Sequence, residues 1–294
     1  MKVDEALQII RDYYEISNPT EDDEFMLTEA LGFLIEETKE PKYMCELAWY
    51  YCSKKHFELE IKYLEMAAEY GYLPAMEELG YMWYYGQHGE KNYKKAFYYF
   101  SKGAESGNDI DCLWCKYKLA DMYHNGYYVE ADEQKYREII EDAYEKVKNP
   151  THLNTPYPEI LYRLAGIRVE DGKQKEAITL LKSAKRFMAE RLSLEAFWGH
   201  IEVMGRIVRY LYKLTPFNKE KLDFYDLFYL EETAGTIRFK RDGKTYEIEI
   251  TADDHAIGFE GNWYRNFSEF CEKAIIDDEK ITKCYDELYG WEVV

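Results

Sequence analysis

Several things are scarce in this sequence, and each scarcity closes off a class of function. No apolar run approaches the roughly 20 residues needed to cross a bilayer, so no membrane span is expected. Basic residues are few for the acids present: 38 Lys and Arg stand against 57 Asp and Glu, a net charge of −19. A surface that negative repels phosphate backbones, which disfavours nucleic acid and anionic membranes and suits a protein partner, a basic one best. The opening stretch, MKVDEALQIIRDYYE, carries acids within its apolar pattern; it reads as an amphipathic helix and not as a secretory signal. With no exported context, the six cysteines are expected as reduced thiols of a cytoplasmic protein. Cys45 and Cys52 on one helix stand about 10 Å apart at ~1.5 Å per residue, too far for a disulfide.

Motifs of catalysis and metal binding are missing as well. There is no Walker loop, dinucleotide fingerprint, zinc-protease helix or nucleophile elbow. The histidines (His56, His88, His124, His152, His200, His255) are scattered, and none completes a triad in sequence. Cys112-Leu-Trp-Cys115 is a lone C-x-x-C near His124; a zinc site needs three or four ligands, and no second pair has the spacing. Two cysteines at i and i+3 of a helix also fit plain burial. Asp253, Asp254 and His255 read as a hairpin connection. Glu21, Asp22, Asp23 and Glu24 read as a helix start, where the dipole favours acids. No metal, no cofactor and no enzymatic activity are expected.

What the chain has in excess is tyrosine, 30 residues within an aromatic share of 17 %. So many rings must fill a core or cover a binding surface. Laying the chain on itself shows an internal repeat. LGYMWYYG at Leu79 matches LAWYYCSK at Leu47, LADMYHNG at Leu119 and, more loosely, LAGIRVEDG at Leu164. IKYLEMAAEYG at Ile61 matches FYYFSKGAESG at Phe97, and its Ala recurs at Ala68, Ala104, Ala143 and Ala184, in steps of 36, 39 and 41. Within residues 73–108, Ala75, Leu79, Met82 and Trp83 form one helical pattern, and Ala96, Phe97, Phe100 and Ala104 a second. Gly86 and Gly107 stand where helices stop. The small residue after each Leu (Ala48, Gly80, Ala120, Ala165) lets the paired helix come close. Two short helices cannot bury their apolar faces alone, so the pairs must stack.

These residues resemble the Sel-one-like repeat, a relative of the tetratricopeptide repeat, whose first helix reads L-G-x-M-Y-x-x-G and whose second reads D-Y-x-K-A-x-x-Y-F-x-K-A-A-E-x-G. Leu79, Gly80, Met82 and Gly86 match the first pattern, with Trp83 in place of Tyr. Asn92, Tyr93, Lys95, Ala96, Tyr99, Phe100, Lys102, Ala104, Glu105 and Gly107 follow the second, with Asn92 in place of Asp. The resemblance implies a mainly α protein, a right-handed α/α superhelical solenoid acting as a protein-interaction scaffold, and no activity.

The helical pattern stops near Thr215–Pro216. After NKEKLD and one more apolar segment, FYDLFYLEE, the period changes. GTIRFKRDGKTYEIEIT alternates about Asp242–Gly243 and reads as a β-hairpin, with Ile237 and Phe239 on one face and Tyr246, Ile248 and Ile250 on another. A strand HAIGF, a turn at Gly261–Asn262, the helix FSEFCEKAII, the segment ITKCYDELYG and a short strand at Trp291 follow, a small α+β module. The pattern at Gly243, Lys244, Tyr246, Phe259, Gly261, Tyr264, Phe267, Ser268, Glu269, Phe270, Gly290 and Trp291 is similar to the restriction-enzyme adenine-methylase-associated domain, a family linked to DNA modification. Here the module holds 14 acids and 8 bases, net −6, which argues against a DNA contact. The expected organisation is capping helices over 1–42, helical repeats over 43–213, a linker helix over 214–232 and the α+β module over 233–294.

A helical wheel of the first repeat helix puts Leu47, Ala48, Tyr50 and Tyr51 on one side and Trp49 opposite. Tyr81 and Asp121 are the equivalents of Trp49 in the next two repeats, and Cys52, Tyr84 and His124 form an adjacent row. First helices line the concave side of such stacks. Trp49, Tyr81, Tyr84, Asp121 and His124 are therefore the expected binding face of an adaptor. An acidic inhibitor or immunity-like protein of a basic enzyme is a second reading, and an accessory factor of DNA modification a third.

Overall fold

A computed structural model describes residues 1–106, 110–148 and 155–294. Gly107, expected as a helix stop, and His152 lie outside the described residues. The chain forms two compact units, Met1–Ile139 and Ile140–Val294.

Unit 1 is a run of antiparallel helices, α1 (Val3–Glu15), α2 (Glu21–Thr38), α3 (Pro41–Ser53), α4 (Phe57–Glu69), α5 (Leu73–Tyr85), α6 (Tyr93–Glu105) and α7 (Leu113–Asn125), each packed on the next. The boundary between the units falls within α8 (Glu133–Val147). Helix starts follow local chemistry. Thr20 accepts from the Asp23 backbone N–H while the Asp23 carboxylate returns to Thr20, so the acidic run is a capping box. Asn92 caps α6. Gly86 and Gly126 end α5 and α7 in the left-handed region. At Gly86 a side chain is doubly excluded: φ is +69°, and a Cβ would come within 2.8 Å of the Gly89 carbonyl.

The Leu and small-residue stripe forms the core, with Leu47, Ala48, Leu79, Gly80 and Ala120 all buried. Gly80 shows why the small residue is needed. A Cβ there would sit 2.6 Å from Cδ1 of Phe100, the buried ring that α6 lays across α5.

Unit 2 opens, beyond α8, with α9 (Tyr157–Glu170), α10 (Gln174–Leu194) and α11 (Trp198–Leu214), followed by one-turn helices at Lys219–Lys221 and Phe224–Asp226 and by α12 (Leu227–Leu230). Then come β1 (Gly235–Arg241), β2 (Lys244–Ile250), β3 (Ile257–Phe259), β4 (Asn262–Tyr264), α13 (Phe267–Lys273), β5 (Ile275–Ile276), β6 (Glu279–Lys280) and β7 (Tyr289–Val293). Five strands make an antiparallel sheet in the order β4-β3-β2-β1-β7, while β5 and β6 form a separate two-stranded ribbon. Asp242 and Gly243 make the β1–β2 turn with φ of +49° and +77°, the backbone that an Asp-Gly pair favours. The β1–β7 pairing shifts register between Arg238 and Lys240, a bulge beside Gly290.

Register corrects one face assignment. Ile237 pairs with Ile248 and Phe239 with Tyr246, and these residues and Ile250 are all buried on a single face, not two. Likewise the helix FSEFCEKAII ends at Lys273, and Ile275–Ile276 leave it to pair with Glu279–Lys280. The segment FYDLFYLEE is core: Phe224, Tyr225, Leu227 and Phe228 are buried, and Phe228 meets Phe267 edge-on at 4.6 Å. Glu231 accepts from the Phe267 backbone N–H and pairs with Arg209 of α11, so residues 198–232 and the sheet module share one interior.

His200 of α11 adds a pH dependence. Burial, and then the charge of Arg191, lower its pKa from the ordinary 6.5 to about 4. The folded state holds this ring neutral. As pH falls from about 6.5 to about 4 the unfolded chain takes up a proton that the folded chain refuses, so stability drops through that window. His200→Gln should flatten the slope there, as read by urea denaturation at stepped pH. An unchanged slope would show that the ring is solvated.

Among the described residues no helix is long and apolar enough to cross a membrane.

Candidate binding face on the first helices

The five expected binding residues fall into three settings. Trp49, on α3, has half of its surface exposed, on the side away from buried Leu47 and Ala48. Tyr81 is half-buried. Its hydroxyl lies 2.7 Å from the Tyr117 hydroxyl, its ring stacks parallel to Tyr85 at 6.2 Å, and it meets Phe100 edge-on at 5.4 Å. Tyr84 packs edge-on against Tyr85, Tyr93, Phe100 and Tyr127. His124 is exposed, with Nδ1 2.9 Å from a Glu133 carboxylate oxygen and its ring 4.5 Å from Tyr136.

Tyr81, Tyr84 and Asp121 are brought together by a residue that the sequence did not single out. Lys118, on α7, is 5 % exposed. Its ammonium stands 4.6 Å from the ring centre of Tyr84, 4.8 Å from Tyr85, 5.5 Å from Tyr117 and 5.6 Å from Tyr81. It donates to the Tyr85 hydroxyl and lies 3.7 Å from the Asp121 carboxylate. Ring faces are negative, so a cage of them takes the place of water around a buried ammonium. Trp49 and His124 belong to other neighbourhoods.

A sequence signal for Lys118 does exist. The position just before the Leu of each first helix is charged every time: Glu46, Glu78, Lys118 and Arg163. Such a run is ordinarily assigned to solvent. Here burial pushes the carboxyls of Glu46 and Glu78 up, Glu78 further under the charge of Glu60. Next to Glu78, burial and the charges of Asp111 and Glu78 push Glu77 up to about 8.

The C-x-x-C pair is packing. Cys112 precedes α7 and Cys115 lies within it, both buried, and the Cys115 sulfur fills the space beside Gly103 that a Cβ would need. Burial holds the Cys115 thiol far above its usual range, and neither cysteine belongs to a cluster of three ligand side chains among the described residues.

Stacked helix pairs followed by a small α+β region define a mainly α repeat protein. No protein-family model matches the chain, and no curated protein matches it significantly. Among solved structures it is similar to a Sel1 repeat protein from Oxalobacter formigenes, at 18 % identity and a TM-score of 0.45, over 65 % of this chain and 79 % of that one. It is also similar to a protective antigen of uropathogenic Escherichia coli displaying an SLR fold, at 17 % identity and a TM-score of 0.49, over 71 % of this chain and 46 % of the antigen, less than half the antigen's length.

Proposed function

We propose that the chain is a non-catalytic scaffold that binds a protein segment on the face lined by α3, α5 and α7. The observation that carries this reading is the exposure of large rings on first helices whose opposite side is core: Trp49 at 50 % and Tyr85 at 41 %. The ring of Trp49 is not needed to fill the interior, whereas Tyr85 shares its surface between solvent and Lys118. Aromatic anchors of this kind commonly carry an interface. The chain as a whole is at −19, so a segment bearing Lys or Arg fits this face best.

The test separates binding from folding. A partner is captured from native lysate on the tagged chain, and its affinity is measured for the wild type, Trp49→Ala and Tyr81→Ala. Loss of an anchor worth roughly 2 kcal/mol weakens binding about thirtyfold. Trp49→Ala should show that loss with an unchanged melting midpoint. Tyr81→Ala should also lower the midpoint, because its ring and hydroxyl hold Phe100 and Tyr117. Unchanged affinity in Trp49→Ala would remove this face from consideration.

A further inference from the structure

Three side chains from three different segments converge in unit 1. Cys52 stands in the last turn of α3, Glu60 in the first turn of α4, and His88 in the connection from α5 to α6. The thiol sulfur, a carboxylate oxygen and an imidazole nitrogen all lie within 4.8 Å of one another.

Glu60 is 1 % exposed. A carboxylate buried that deeply must be neutralised. Its Oε2 lies 2.9 Å from His88 Nε2, yet the two are not aligned as a hydrogen bond, and neither atom has another hydrogen-bond partner. The Cys52 thiol also reaches the Glu60 carboxyl, so the three ligand atoms stand close enough together for one ion to touch all of them. The imidazole is held in place: it stacks on Phe57 with ring centres 3.9 Å apart and planes 13° apart. Glu78 of α5 is close enough for Glu60 and His88 to act on its carboxyl.

We propose that Cys52, Glu60 and His88 bind one zinc ion, with water in the fourth position. A thiolate, an imidazole and a carboxylate suit zinc, whereas magnesium and calcium want oxygen ligands alone. On binding, the Cys52 thiol releases its proton to solvent as the Zn–S bond forms, and neutral His88 coordinates through Nε2. The two positive charges of the ion then balance the thiolate and the Glu60 carboxylate, which settles the buried charge. The ion links the α3–α4 pair to the α5–α6 connection, so it staples consecutive repeats. This site is separate from the Cys112 pair.

The test uses the full chain, stripped with chelator and titrated with zinc by calorimetry. Cobalt serves as the coloured substitute, because a thiolate ligand gives it a sulfur-to-metal charge-transfer band. One equivalent should bind, and zinc should raise the melting midpoint. Cys52→Ser should abolish the cobalt band and weaken zinc at least tenfold, while Cys112→Ser leaves both intact. His88→Gln, which keeps a flat polar group on Phe57, should weaken zinc without removing the band. Midpoints of the variants in chelator, compared with the wild type in chelator, show that folding is retained. If Cys52→Ser does not fold, His88→Gln alone decides. Absence of stoichiometric binding, a cobalt band that survives Cys52→Ser, or wild-type zinc affinity in His88→Gln overturns the proposal.

Discussion

Arg191→Ala is expected to cost unit 2 about 3–5 kcal/mol of folding free energy, the usual penalty for removing one member of a buried ion pair. Arg191, on α10, is buried; its Nη1 donates to Glu159 Oε1 at 2.8 Å and its Nη2 to the Thr155 carbonyl. Glu159 is 2 % exposed, and its second oxygen has no hydrogen-bond partner. Truncating the arginine therefore strands a carboxylate that water does not reach. The loss should be largely rescued by adding Glu159→Gln, which removes the stranded charge. Urea denaturation of both single variants and the double variant measures this as a coupling energy. A loss under about 1 kcal/mol for Arg191→Ala would mean that Glu159 is reached by water after all. Arg191 also helps to hold His200 neutral, so Arg191→Ala should raise the lower edge of the His200 window while its upper edge stays near the ordinary value, and the loss of stability across it should shrink.

Gly80→Val should be comparably damaging in unit 1. Replacing a helical glycine would ordinarily gain up to about 1 kcal/mol in backbone entropy. Here the new Cβ would stand 2.6 Å from Phe100 Cδ1, and Phe100 is itself wedged by Tyr81 and Tyr84. Overpacking of that kind costs about 1–3 kcal/mol, more for a branched side chain, so the steric term wins. A denaturation midpoint below wild type is expected for Gly80→Ala and a lower one still for Gly80→Val. Phe100→Leu should recover part of the loss in the Gly80→Ala background, although alone it is destabilising. Additive losses would show that the two positions do not touch.

The parts of the fold legible from sequence are those specified within a few residues. Leu47-Ala48, Leu79-Gly80 and the glycine stops at Gly86 and Gly126 encode helix pairing locally, and Asp242-Gly243 encodes its own hairpin. The strand face was misassigned because alternation tells which residues share a side within a strand, but only register tells which sides of two strands coincide. The site was legible to a lesser degree. A helical wheel turns Trp49 outward correctly, yet it cannot tell how far the ring of Phe100 reaches beneath Tyr81 and Tyr84. Lys118 escaped because a lysine is ordinarily assigned to solvent, and its cage comes from two helices. Cys52, Glu60 and His88 meet only through the stacking of one helix pair on the next, which no local spacing encodes.

The five-stranded sheet ends in two unlike borders. One is β4, three residues long. The other is β7, whose pairing with β1 is interrupted by a bulge and which carries Glu292. An open border of free N–H and C=O groups is a template on which another chain can polymerise, and short, kinked or charged borders are poor templates. A protein with this many β-prone tyrosines and phenylalanines is a natural candidate for cross-β assembly, and here the geometry of two terminal strands works against fibre growth.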